Sequence, residues 1–278
     1  MSIEGKVQVV PGGTSGMGMA AAKELGQYGP VVIAGRNEKR LADALEQLKA
    51  DGIEVYGKQC DVGDRQSVKE LVEYATSLGP IGAVVNAAGV DWGDVPDSAL
   101  IQINMLGVVY VTEEFLPHMD DSVMMHFSSV TGYLYQPSPA DIEVWSHPDD
   151  PGFVEKWTKV VESTDYPFPE MLGDSFAFYA GSKRFVMYYT MANAMRFGKR
   201  NSRILSIAPG SFDTPMLRGG AGNTESTKQG TAFGRFGTPE EMAVLIAQLV
   251  GPGHDYLTGV DVLHDGGKLA LTTVKQLD

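Results

Sequence analysis

The sequence predicts an α/β fold in which a parallel sheet is covered by helices on both faces. Two observations carry that reading. A short apolar run, Val7-Gln8-Val9-Val10, leads into Pro11-Gly12-Gly13-Thr14-Ser15-Gly16-Met17-Gly18 and then into a helical periodicity from about Met19 through Leu25. Strand, glycine-rich turn and helix in that order form a nucleotide-binding arrangement. The same rhythm then repeats: a strand at Val31–Ala34, a helix at Glu38–Ala50, a strand at Val55–Gln59, a helix at Val68–Leu78 and a strand at Ala83–Asn86. Alternating buried strands and amphipathic helices place a parallel sheet between two helical layers. No low-complexity tract or proline-rich linker interrupts the 278 residues, so residues 1–278 read as one domain.

Each element adds chemistry to this frame. In the first turn the spacing is Gly-x-x-x-Gly-x-Gly, with Gly12, Gly16 and Gly18 at the glycine positions. Glycines there let the backbone approach a pyrophosphate, and the helix start offers free N–H groups at the positive end of its dipole. Gly12, Thr14, Ser15, Gly16, Met17 and Gly18 form the candidate cradle. After the second strand, a carboxylate would hold the ribose of NAD, whereas a basic residue meets the 2′-phosphate of NADP. The chain has Gly35-Arg36-Asn37 and no carboxylate before Glu38, which favours NADP while leaving NAD possible. Asp61, followed by Val62, stands where an edge carboxylate would accept from the adenine amino group. The small residues of Asn86-Ala87-Ala88-Gly89 would let a ribose lie against the backbone, although turn-forming roles explain these strand ends equally well.

Bulk properties narrow the function classes. A formal charge of -13, with no basic run, argues against nonspecific nucleic-acid binding. It does not exclude an anionic ligand, which a few local donors can hold. The single cysteine, Cys60, allows no internal disulfide. With no apolar signal core and no stretch read as long enough to span a membrane, the expectation is a soluble, cytoplasmic protein. His126 and His147 have no ligand partner at a recognisable spacing, so no metal site is expected. Further along, Tyr179 and Lys183 lie four residues apart on one helical face, where an ammonium can stabilise a phenolate.

Over almost its whole length the chain resembles the short-chain dehydrogenase/reductase family. The resemblance rests on the Gly12–Gly18 loop, the Asn86-Ala87-Ala88-Gly89 turn, Asn104 in Ile103-Asn104-Met105, and Ser128-Ser129 at the end of a Val123–Phe127 strand. It continues through Tyr179-Ala180-Gly181-Ser182-Lys183, Pro209-Gly210-Ser211-Phe212-Asp213-Thr214, the helix start at Gly234–Glu241 and Asp265-Gly266-Gly267. It implies a Rossmann-type doubly wound domain with a seven-stranded sheet. Tyr179 would be the general acid/base, Ser129 the group that hydrogen-bonds the substrate oxygen, and Lys183 the holder of the ribose hydroxyls. Asn104 would position a water linking Lys183 to solvent. Pro209, Gly210, Phe212 and Thr214 would join the cofactor site. The implied activity is NAD(P)-dependent interconversion of a secondary alcohol and a ketone. A catalytically idle relative acting as sensor or scaffold is the alternative, but the Ser-Tyr-Lys set it would lack is intact.

Three departures stand out: Pro11 replaces the family's threonine, Phe212 replaces a smaller aliphatic residue, and a long segment at about 133–175 separates Ser129 from Tyr179. That insertion is turn-rich at Gln136-Pro137-Ser138-Pro139 and Ser146–Pro151, with a helix carrying Phe153, Trp157, Val160 and Val161 on one stripe. It resembles the insertion of bacterial carbonyl reductases acting on hydroxysteroids. Tied at both ends beside catalytic residues, it is expected at the active-site mouth. Its stripe would face an apolar substrate, a neighbouring subunit or its own domain. The Tyr179 helix runs on through Phe185–Tyr189, Met191, Ala192 and Met195, apolar on more sides than one sheet covers. Together with the resemblance this predicts a homodimer or homotetramer.

Overall fold

A computed structural model describes residues 2–168, 172–173, 175–219 and 224–276. Positions 169–171 and 174 of the anticipated insertion lie outside the described residues. Seven strands, β1 (Val7–Pro11), β2 (Val31–Gly35), β3 (Val55–Gln59), β4 (Ile81–Asn86), β5 (Val123–Phe127), β6 (Arg203–Pro209) and β7 (Val260–His264), pair in the order β3-β2-β1-β4-β5-β6-β7. Every pairing is parallel. The chain runs outward from β1 to β3, then returns to β4 on the other side of β1. This reversal opens a crevice at the carboxyl ends of β1 and β4, where such sheets bind ligands.

The strands alternate between two apolar layers. Val9, Val32, Val84 and Met124 face one cluster, while Val10, Ile33, Val85 and Met125 face the other. The first helices are α1 (Gly16–Leu25), α2 (Glu38–Ala50) and α3 (Arg65–Leu78). Asn37 caps α2 by accepting from the Arg40 N–H at 2.9 Å, and Asp64 caps α3, which starts three residues before the apolar periodicity does. A composite helix follows: α4 (Asp97–Ile101), a π-helical turn (Gln102–Leu106) and α5 (Gly107–Phe115). With its last 3-10 turn it spans 22 residues and is long and apolar enough to cross a membrane, which corrects the expectation that no stretch is. Its apolar side chains, among them Leu100, Met105, Val109 and Phe115, are buried in the domain's own core.

The insertion contains two helices, α6 (Pro139–Trp145) and α7 (Phe153–Glu162), and leads to α8 (Ser175–Gly198), which carries Tyr179 and Lys183. The expected stripe is present, but it packs within the chain. Phe153, Trp157 and Val161 are buried, while Val160 is only partly so. Ring centroids lie 5.9 Å apart for Phe153–Phe185 and 5.9 Å for Trp157–Phe178. At Gly181 a Cβ would come within 2.7 Å of Trp157 Cζ2 and 2.7 Å of Tyr135 Cε2, so glycine is what allows the insertion to seat on α8. Of the run read as apolar on more than one side, Phe185 and Tyr188 meet rings of the insertion, while Met191, Ala192 and Met195 are exposed. The remaining helices are α9 (Pro215–Gly219), α10 (Glu225–Gln229), α11 (Pro239–Val250) and α12 (Lys268–Thr273). In the Gly234–Glu241 motif, Thr238 and Glu241 form a reciprocal capping box at the start of α11.

Candidate active site

The crevice between β1 and β4 is a cleft of about 610 Å³. At its centre Gly12 (φ +80) lies so close to β4 that a Cβ would meet the Ala88 nitrogen at 2.5 Å. A Cβ on Gly18 would meet the Gly12 carbonyl oxygen at 2.3 Å, so α1 can begin only this near the turn without a side chain there. Ser15, the N-cap of α1, makes no side-chain capping bond, and the first turn holds no acidic residue. The backbone donors and positive dipole end of α1 therefore face the cleft without a carboxylate of their own, a form that fits a pyrophosphate. Pro11 ends β1, and its carbonyl still accepts from Ala87 at 2.9 Å, so the turn closes despite the missing N–H.

Thr14, Ser15, Gly16, Met17, Arg36, Asp61, Val62, Ala88, Gly89 and Thr214 all line this cleft. So does Arg40, one helical turn after Arg36, which the sequence reading missed. The Arg36 carbonyl is fixed by the Gln59 side-chain amide at 2.9 Å, and among the described residues neither guanidinium has a carboxylate partner. Asp61 uses Oδ1 to accept from the Gly63 N–H at 3.0 Å.

Ser129, Tyr179 and Lys183 are not among the residues that line the cleft; α8 holds Tyr179 and Lys183 buried just behind it, with Lys183 against the lining residues Phe127 and Gly89. The Lys183 Nζ lies 5.7 Å from the Tyr179 ring centroid and donates to the carbonyl of the cleft residue Phe127 at 3.2 Å. Ser129 follows β5, and its Oγ accepts from the Thr131 N–H at 3.2 Å. Burial pushes the Tyr179 hydroxyl well above its ordinary pKa, the charge of Asp91 pushes it further, and a hydrogen bond with Ser129 works against both. Burial lowers Lys183 to about 8, with Asp91 opposing. Burial thus favours the neutral form of both side chains.

The similarity of this chain to known proteins follows the same residues. A short chain dehydrogenase model matches residues 6–137, and an Enoyl-(Acyl carrier protein) reductase model matches residues 161–268. Tropinone reductase-like 3 of Erythroxylum coca is 30% identical, over 95% of this chain and 93% of its own. The chain belongs to the short-chain dehydrogenase/reductase family. Among other members, a 3-oxoacyl-(acyl-carrier-protein) reductase of Thermotoga maritima is 29% identical over 96% of this chain and 99% of its own. A solved short-chain dehydrogenase/reductase from Serratia marcescens superposes with a TM-score of 0.76 at 26% identity, covering 97% of this chain and 100% of that one. As a short-chain dehydrogenase/reductase, the protein is an NAD(P)-dependent oxidoreductase.

Other residues drawn from the family motifs lie outside the cleft lining. Asn86 is buried beneath it, its amide 3.4 Å from His126 Nδ1 and its carbonyl oxygen accepting from the Ala88 N–H at 3.4 Å. The Thr112 hydroxyl donates to Val108 and lies 3.0 Å from His126 Nε2, so His126, held neutral by burial, braces the turn from below. Pro209 closes β6, the Gly210 N–H donates to His264 at 3.0 Å, and the Phe212 ring packs against His264 with centroids 5.4 Å apart. The Asn104 amide is held by the next loop and by α8: Oδ1 accepts from the Val90 N–H at 2.9 Å, and Nδ2 donates to the Val90 carbonyl at 3.0 Å and to Ser182 Oγ at 3.5 Å.

Aromatic rings pack around Tyr179. Trp92 packs on Tyr179 with centroids 4.9 Å apart and on Phe176 at 5.2 Å, and Phe168 of the insertion meets Phe176 at 5.0 Å. Of the three faces left open for the stripe of Phe153 and Trp157, the structure has the chain's own domain: both rings are buried against α8.

Proposed function

We propose that the protein is an NADP(H)-preferring reductase of ketones, interconverting an apolar secondary alcohol and its carbonyl. The observation that carries this reading is the arrangement of one cleft. Arg36 and Arg40 line it, and Ser129, Tyr179 and Lys183 gather behind it, with Lys183 against the lining residues Phe127 and Gly89. Two guanidiniums suit a 2′-phosphate better than a bare ribose. The nicotinamide cofactor supplies or accepts the hydride when bound.

In reduction, Tyr179 gives its hydroxyl proton to the carbonyl oxygen as the carbon takes the hydride. Ser129 donates to the same oxygen as charge builds on it. Lys183 is placed to hold ribose hydroxyls and return a proton to Tyr179. Asn104 acts at one remove, fixing Val90 and with it the Gly89 backbone that lies against Lys183. The rings of Trp92, Phe176 and Phe168 favour a hydroxysteroid-like or other apolar ketone.

The test is a spectrophotometric screen of NADPH oxidation across ketone classes, with NADH as control. Tyr179→Phe should lower turnover roughly a hundredfold or more and keep cofactor binding. A variant that retains turnover removes Tyr179 from the mechanism, and equal rates with NADH remove the NADP preference.

A further inference from the structure

Ser129 sits in a short turn whose two ends are tied to one carboxylate. That carboxylate belongs to Asp261, on the edge strand β7. Ser206 of β6 is its register partner, and the Ser206 hydroxyl donates to Asp261 Oδ1. The Ser128 hydroxyl, one residue before Ser129, donates to the same oxygen at 2.6 Å. The Tyr133 hydroxyl, four residues after Ser129, donates to Oδ2 at 2.9 Å. Two of the three hydroxyls that Asp261 gathers therefore bracket Ser129.

Between those ends the chain makes a 3-10 turn, Val130–Tyr133, with Ser129 as its N-cap. The Ser129 Oγ accepts from the Thr131 N–H at 3.2 Å, and the Gly132 N–H donates back to the Ser129 carbonyl at 3.0 Å. The turn presses on α8. A Cβ on Gly132 would lie 3.0 Å from the Arg184 nitrogen and 3.0 Å from the Lys183 carbonyl carbon. Where this turn rests on α8 sets the place of Ser129 relative to Tyr179 and Lys183, and Asp261 holds both its start and its end.

We propose that Asp261 is a positioning residue that keeps the Ser129 hydroxyl on the substrate oxygen by fixing both ends of its turn. The proposal rests on the reading of Ser129 as the donor to that oxygen. Asp261 is not among the residues that line the cofactor cleft, so it acts through the turn. A donor moved by ~1 Å loses much of its hold on a developing oxyanion, a loss of up to ~100-fold in rate. All three partners of Asp261 are hydroxyls, which accept as well as donate. An asparagine at this position would keep every contact: its oxygen takes Ser128 and Ser206, and its –NH2 donates to the Tyr133 oxygen. The hold lies in the shape of the group, not in its charge.

The experiment measures kcat and KM of the holoenzyme for Asp261→Ala and Asp261→Asn, each alone and combined with Ser129→Ala. A ketone and its alcohol from the screen serve as substrates. In Asp261→Ala, kcat/KM should fall roughly tenfold for the ketone. It should fall by the same factor for the alcohol, because the equilibrium constant fixes their ratio. NADPH affinity by fluorescence titration should be unchanged. Asp261→Asn should stay within about twofold of the unmodified enzyme. On the Ser129→Ala background, with no hydroxyl left to position, Asp261→Ala should change the residual rate less than about twofold. Should Asp261→Ala fold poorly, Tyr133→Phe removes one tie and leaves the ring. It should lower kcat/KM about two- to tenfold and lose that effect on the same background.

Equal losses with and without the Ser129 hydroxyl overturn the proposal, because a general loosening of the fold is felt in both. An Asp261→Asn as slow as Asp261→Ala overturns it too. Ser129→Ala alone separates the two levels. If it cripples turnover while Asp261→Ala leaves turnover intact, only the role of Asp261 falls. If Ser129→Ala keeps full turnover, the donor reading falls and the proposal falls with it.

Discussion

Asp141→Asn tests how the insertion is held to the catalytic helix. The Asp141 side chain is fully buried, and its two oxygens accept five hydrogen bonds. Oδ1 takes the Tyr135 hydroxyl and Trp157 Nε1, both at 2.8 Å. Oδ2 takes the Ser138 N–H at 2.8 Å, the Ser138 hydroxyl at 2.7 Å and the Tyr166 hydroxyl at 2.9 Å. An asparagine must turn its –NH2 toward one of these sets. Hydroxyls can rotate to accept, but the Ser138 N–H on one side and the Trp157 N–H on the other cannot. Either orientation loses a carboxylate bond worth ~1.5–3 kcal/mol and leaves a buried donor unmatched at ~1–3 kcal/mol. The expected loss is about 3–5 kcal/mol, a large share of the ~5–15 kcal/mol typical of a folded protein.

Urea denaturation followed by tryptophan fluorescence is the assay, since Trp145 and Trp157 are 1% and 0% exposed and sit in this part of the core. Turnover should fall with the stability, because α8 carries Tyr179, while NADPH affinity should persist. A loss below about 1 kcal/mol would refute the account of Asp141 as the anchor.

At the other end of the cleft, Arg36→Asp should weaken NADPH binding tenfold or more by fluorescence titration while affecting NADH far less. Gly181→Ala should destabilise the protein in urea, because overpacking costs ~1–3 kcal/mol against a helix-propensity gain of ~1 kcal/mol. The same change made on a Tyr135→Leu, Trp157→Leu background should reverse sign; the same cost in both backgrounds would show that neither ring is the obstacle. Burial lowers His126 from 6.5 to about 3, so the unfolded chain takes up a proton that the folded one refuses. That contribution is complete above pH 6.5 and is lost as pH falls toward 3, by about 1.4 kcal/mol per unit. His126→Gln should flatten this dependence in denaturation midpoints measured from pH 7 to 4.

Much of the frame was legible because its signals are local. Apolar runs marked β3 to the residue and β2 to within one, and the periodicity read from Glu38 to Ala50 is α2. The cleft residues from Gly12 to Gly18 and the set of Ser129, Tyr179 and Lys183 were legible as motifs. What escaped depends on contacts distant in sequence. Pro137-Ser138-Pro139 read as a turn, yet Pro139 occupies the first turn of α6, where a missing N–H does no harm, with Ser138 and Asp141 completing a capping box. Phe153 and Trp157 gave a stripe without an address, since nothing within it shows that Gly181 leaves room for them on α8. Arg40 was hidden by its place within a helix. The hold of Asn104 on Val90 was invisible as well, since Val90 lies on another element.

The π-helical turn at Gln102–Leu106 also makes this stretch of chain unusual in how it tolerates a change of length. Removing one residue from an ordinary helix turns everything beyond it by about 100° and would carry the apolar side of α5 away from the sheet. A π-helical turn holds one residue more than the α-helical turn it interrupts. Losing one residue between positions 102 and 106 would therefore straighten the helix and leave Val109, Val111 and Phe115 facing inward. What would go is the outward swing that sets Asn104 against Val90. One edit of this helix would thus keep α5 in register on the sheet and still cost the site its hold on Val90.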